Sequence, residues 1–121
     1  MVDARVLVAY EDVYRAYRGV IASGIAVLRP HVVVATCTPG ELQGGELERF
    51  DPQVVVCGQP GTVDPGDSAA WVELPIDPGR PAKVRVGGHR REFTHLSLEG
   101  LLAIIDEAEE LVRASAARTV S

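Results

Sequence analysis

No apolar run in this 121-residue sequence approaches the length of a bilayer span; the longest, residues 20–28, is already interrupted by Ser23 and Gly24. That excludes a transmembrane segment. Cysteine occurs twice, at Cys37 and Cys57, each at the end of a valine-rich run, with no C-x-x-C pair and no basic neighbour. A domain that can build its own core has no need of a disulfide framework, so both are expected to be buried, unpaired thiols without redox chemistry. Lysine occurs once, at Lys83. Motifs for several chemistries are missing: "GQPGTVDPG" ends in neither G-K-[ST] nor a helix start, no serine stands on a strand-to-helix elbow, and His89 and His95 have no zinc spacing. The sequence predicts no catalytic residue, no cofactor and no metal.

The length suits one compact domain, residues 1–121, and the composition (46% hydrophobic, 24% charged) is ordinary for a globular protein. "MVDARVLV" puts an acid before the first apolar run and shows no basic, apolar and small-residue segments in signal-peptide order, so a cytoplasmic location is expected. A net charge of −5 argues against nucleic acid as a partner, yet the charge is uneven. Residues 80–95 carry five basic residues against one acid, while the segments before and after them are acidic.

Three runs, "RVLVA", "HVVVATC" and "QVVVC", are apolar without alternation, which predicts strands buried on both faces. Between the first two, Val13, Tyr17, Val20, Ile21, Gly24 and Leu28 recur at helical intervals, with Arg15 and Arg18 assigned to the opposite side and Pro30 closing the helix. Thr38, Pro39 and Glu41 have the spacing of a capping box, predicting a second helix weakened by Gly44 and Gly45. This order predicts an α/β fold with a parallel βαβαβ core of strand order 2-1-3. Residues 58–70 read as a long surface loop. "WVELPI" alternates, placing Trp71 and Glu73 on the polar side; "AKVRV" and "REFTHL" around "GGH" read as a β-hairpin. Ser97 is placed to cap a C-terminal helix with Leu98, Leu101, Leu102, Ile105, Ala108 and Val112 on its apolar face, followed by a fraying tail, "ASAARTVS".

"RVLVAYEDVYRAYRGVIAS" and "RFDPQVVVCGQP" together resemble the receiver domain of bacterial response regulators over about residues 5–60. The resemblance implies an acidic pair after the first strand for Mg²⁺, a phosphoacceptor aspartate at the end of the third strand, and a later hydroxyl residue and lysine. Here the acidic pair falls on Tyr10 and Glu11, with Asp12 just beyond, and the phosphoacceptor position falls on Gly58. Glycine has no nucleophile, and Lys83 lies in the hairpin. The resemblance therefore implies a non-phosphorylatable receiver-like regulatory domain that acts by protein–protein contact in signalling or transcription. The alternative is a sensor that binds a nucleotide or other small molecule in the cleft at the carboxyl edge of the parallel strands.

Glu11 and Asp12, with Asp64 and Asp67 from the long loop, are the only weak candidates for a divalent ion, and the sequence favours solvated loop acids over a site. The basic hairpin reads first as edge protection. A homodimer is expected, with Trp71 and Phe93 at a two-fold interface and Arg85, Arg90 or Arg91 reaching acids of the other copy.

Overall fold

A computed structural model describes residues 4–58, 64–66, 68–77 and 79–120, with side chains through residue 115. Three valine-rich strands, β1 (Arg5–Ala9), β2 (Val33–Cys37) and β3 (Val54–Cys57), pair in parallel in the expected order 2-1-3. Beside β3 lies β4 (Ala70–Glu73), also parallel, and then the antiparallel hairpin of β5 (Ala82–Val86) and β6 (His89–Phe93). All six form one sheet of order β2-β1-β3-β4-β5-β6. Gly87, with φ of 58°, makes the hairpin turn that an L side chain would strain.

Helix α1 (Arg15–Leu28), led in by a 3₁₀ turn at Asp12–Tyr14, and the long α4 (Leu98–Val120) share one face of the sheet. There Val6, Val8, Val54, Val56 and Val72 meet Ile21, Ile25, Leu101 and Ile105 in the main core. On the other face, α2 (Pro39–Glu41) and α3 (Leu47–Phe50) flank a widened turn in which Gly45 takes φ of 116°. The capping box is formed: Thr38 Oγ1 accepts from the Glu41 N–H at 3.1 Å, and Glu41 Oε1 accepts from the Thr38 N–H at 3.0 Å. This segment covers a second core of Leu7, Ala9, Val55, Cys57 and Trp71. Ser97 caps α4, its hydroxyl accepting from the Gly100 N–H at 3.1 Å. No helix among the described residues is long and apolar enough to cross a membrane.

Five expectations are corrected. First, β2 is not buried on both faces, because it is the sheet edge and Val33 stands exposed. Second, Trp71 is not on a polar face, since β4 lies inside the sheet and both its sides are covered; the indole is buried in the second core. Third, α1 is turned the other way. Of its expected inner residues only Ile21 is buried, together with Ile25, while Val13, Val20 and Val27 are 81%, 71% and 75% exposed. Arg18, expected outside, is 16% exposed at its side chain and donates to the Tyr10 carbonyl at 2.8 Å and the Cys37 carbonyl at 3.4 Å. In this rotation Arg18 supplies a donor to the Tyr10 carbonyl past the end of β1 and a second, longer one to the Cys37 carbonyl, which already accepts from the Tyr10 N–H. Fourth, the expected α4 face holds at Leu101, Leu102, Ile105 and Ala108, but Leu98 at its start is exposed and Ile104 is buried as well. Fifth, α4 continues to Val120 in the segment expected to fray, which contains neither glycine nor proline and is rich in alanine; Ser121 lies outside the described residues.

The rotation of α1 predicts unequal costs. Ile25→Ala is expected to lower stability by about 2–5 kcal/mol, and Val20→Ala by no more than about 0.5 kcal/mol. Urea titrations in dilute solution measure both; equal losses would contradict the observed face.

Candidate functional site at the carboxyl edge of the parallel strands

Four parallel strands, β2, β1, β3 and β4, end together at this edge and are tied by backbone bonds. The Tyr10 N–H donates to the Cys37 carbonyl at 3.1 Å, the Gly58 N–H to the Ala9 carbonyl at 3.2 Å, and the Leu74 N–H to the Cys57 carbonyl at 2.8 Å. Tyr10, the first residue after β1, is almost fully buried. Its hydroxyl donates to the Leu74 carbonyl at 2.9 Å, and its ring packs edge-on against Tyr17 with centroids 5.3 Å apart. Burial chiefly, with Tyr17 and Cys57 nearby, holds the Tyr10 phenol well above its usual range.

The decisive contact is between Tyr10 and Gly58. A Cβ at position 58 would stand 2.0 Å from Tyr10 Cε1 and 2.2 Å from Cδ1, so the ring occupies the space of any side chain there. Tyr10 and Gly58, which the sequence placed at the degenerate receiver pocket, are thus brought together. The acids are not. Glu11 is exposed, Asp12 pairs with Arg18 at 3.3 Å, and Asp64 is held by Arg85; Asp67 lies outside the described residues. Among the described residues no three His, Cys, Asp or Glu side chains are grouped to hold a metal ion.

Beside the tyrosine lies a cleft of about 270 Å³. Tyr10 and Gly58 form its floor, Tyr14 and Ile76 line it, and Glu11, Asp77 and Arg80 carry its charge. Among the described residues neither Glu11 nor Arg80 has an ion-pair partner. Ile76 and Asp77 were not legible as site residues, the only signal being the turn "DPGR"; Arg80 was read only as one of the basic residues of segment 80–95.

The expected interface residues are largely engaged inside the chain. Arg85 is buried, its Nε paired with Asp64, while its other nitrogens donate to the Ser68 and Gly87 carbonyls, each at 2.9 Å. Arg91 pairs with Glu107 of α4 at 2.5 Å and lies over Phe93, which packs against the main core. Only Arg90 of that group is exposed without an ion pair among the described residues. It lines an open cleft of about 450 Å³ with Lys83, Glu92 and Glu73, on the face of the hairpin away from α4.

Both cysteines are free and buried in the second core. Ala9 of β1 lies between them, in register with each, so they are two strands apart and beyond disulfide reach. Burial pushes the Cys57 thiol up to about 12 and the Cys37 thiol up to about 11, with Glu73 and Glu41 respectively adding to the effect. These thiols are protected rather than activated. Neither family models, nor curated proteins, nor solved structures gave a match to the chain. Geometry alone therefore defines the class: a mixed α/β domain with a parallel core whose carboxyl-edge position is closed by its own tyrosine.

Two outcomes are expected. Gly58→Ala should cost about 1–3 kcal/mol or more by overpacking, and less when combined with Tyr10→Ala than the two single losses added together; strict additivity would separate the two residues. The raised thiols and phenol also set a pH dependence. An unfolded thiol loses its proton near about 8.5 while the folded chain keeps it, so this stabilisation is complete below that pH and falls as pH rises toward about 12. The urea midpoint should drop between about pH 8 and about pH 10.5. An unchanged midpoint together with rapid native-state alkylation of the thiols would show them to be accessible.

Proposed function

We propose that this is a receiver-like domain without phosphotransfer, acting in the cytoplasm through contact with other protein chains in signal transduction or transcriptional control. The observation that carries this reading is the Tyr10 ring in the place of a side chain at Gly58. A carboxylate introduced there would meet the ring before it met a phosphoryl donor, and of the described acids expected around an ion Asp12 and Asp64 are paired with arginines, which leaves Glu11 alone. The carboxyl edge has been converted from a place for reaction into packed structure. Support for contact comes from α1, whose solvent face carries valine in place of charge.

A second reading is favoured by one observation. In the 270 Å³ cleft Glu11 and Arg80 stand over an aromatic floor without ion-pair partners among the described residues. The volume lies just under the range of about 300–1,000 Å³ typical of ligand pockets, which suits a small zwitterion better than a nucleotide.

One experiment addresses both. The protein is incubated with acetyl phosphate and Mg²⁺, and intact mass is expected to show no phosphate adduct. A stable adduct on an aspartate would overturn the first reading. Thermal-shift measurements on the same samples with amino acids and nucleotides are expected to show no change. A shift that Arg80→Ala abolishes would install the second reading instead.

A further inference from the structure

We infer that the outer face of α1 joins two copies of this chain, antiparallel, about a two-fold axis beside Val20; this rests on the reading of the domain as an interaction module. Among the described residues, six of the eight exposed large apolar side chains belong to α1 and its lead-in turn. A seventh, Leu98, lies against Gly24, where a Cβ would come within 3.0 Å of its Cδ2. The apolar surface is therefore a single patch rather than scattered residues, the arrangement that marks an interaction site.

Surface helices ordinarily carry charge on the solvent side. From residue 16 to residue 28 the only charged residue is Arg18, and it points inward to the strand ends. Val20 and Val27 stand seven residues apart on α1, the spacing that keeps a seam facing one partner helix, and Val13, 81% exposed in the 3₁₀ turn, precedes them. Ala16, Gly19 and Ser23 beside them are small enough for close approach of two backbones.

The face is complementary to itself. With a second α1 reversed about Val20, Val13 stands opposite Val27 of the other copy and Ala16 opposite its Ser23, while Tyr17 falls beside its Gly24 and Leu98. The helix dipoles agree with the same direction, since a parallel pair would align them unfavourably. Asp12, Arg29 and His31 at the helix ends stay with Arg18, Asp106 and Glu109 of their own chain. Elsewhere the copies, at −5 each, repel; this face is where that repulsion is least. At 1.5 Å per residue a stripe from residue 12 to residue 28 is about 25 Å long. Two such faces bury an area near the lower limit of specific interfaces, about 1,000–1,200 Å² in total, so the dimer should dissociate on dilution.

Cysteine cross-linking of the 121-residue chain tests the geometry, since Cys37 and Cys57 are buried and do not compete. Under mild oxidation Val20→Cys is expected to give a covalent dimer. Val13→Cys and Val27→Cys should each cross-link poorly alone and efficiently when mixed, and His89→Cys on the hairpin should stay monomeric. Efficient self-cross-linking of Val13→Cys would overturn the antiparallel arrangement. Light scattering across a dilution series provides the second arm, with circular dichroism confirming that Val20→Asp, at an exposed position, remains folded. The parent should dimerise and Val20→Asp should not. A parent dimer unaffected by Val20→Asp would overturn α1 as the contact. A parent that stays monomeric at all concentrations would remove the second copy as occupant, leaving the acetyl phosphate result, and with it the underlying reading, to stand or fall separately.

Discussion

The packing of Tyr10 across Gly58 is the constraint around which the carboxyl edge is organised. Its ring joins residues from the ends of β1 and β3, and its hydroxyl reaches the Leu74 carbonyl just beyond β4, so one side chain links three strands. A buried phenol without an acceptor would be costly, and the Leu74 carbonyl removes that cost. The glycine is required by the ring, and the ring in turn excludes any side chain that the glycine position could otherwise present. The same pairing of ring and glycine keeps any side chain out of position 58 and bolts the strand ends together.

The rotation of α1 follows from the same edge. Where β1 and β2 end, the carbonyls of Tyr10 and Cys37 face a region with no further strand, and Arg18 donates to both. Once that guanidinium turns inward, helical geometry carries Ile21 and Ile25 onto the sheet, three and seven residues further on. Val13, Val20 and Val27 are then left on the outside. An arginine that satisfies backbone at the carboxyl edge thus determines which valines meet solvent more than 10 Å along the helix. The uncharged outer face is a consequence of how the inner face is anchored.

Much of the fold was legible because its signals are local. Valine runs announced β1 and β3, two glycines announced the β5–β6 turn, and Thr38 with Glu41 announced a capped helix start. The errors arose where a decision depended on distant partners. Helix α1 has apolar residues all round, so periodicity offers two faces and cannot choose between Val20 and Ile25; the choice is made by strand-end carbonyls elsewhere in the chain. Trp71 alternates with Ala70 and Val72 in a way that suggests one exposed side, and only the presence of strands on both flanks of β4 buries both sides. At the site, the sequence showed only that position 58 has no side chain to present. That Tyr10, 48 positions earlier, fills its place was not legible, because no short-range pattern links the two.

The surface is polarised along the sheet. At one end β6 presents His89, Arg90, Arg91 and Glu92, all exposed, a run that discourages a further strand from pairing with that edge. Its inward neighbours are bound within the chain, Arg85 by Asp64 and Arg91 by Glu107, so the charges that resembled docking groups stabilise the hairpin against its own loop and helix. At the other end β2, "VVATC", carries no charge, and α1 above it exposes valine. Desolvating paired arginines to make a contact would sacrifice interactions already formed, whereas covering valines releases water at no such loss. On the proposed α1 pairing a second copy therefore gains more at that end than it would at the hairpin.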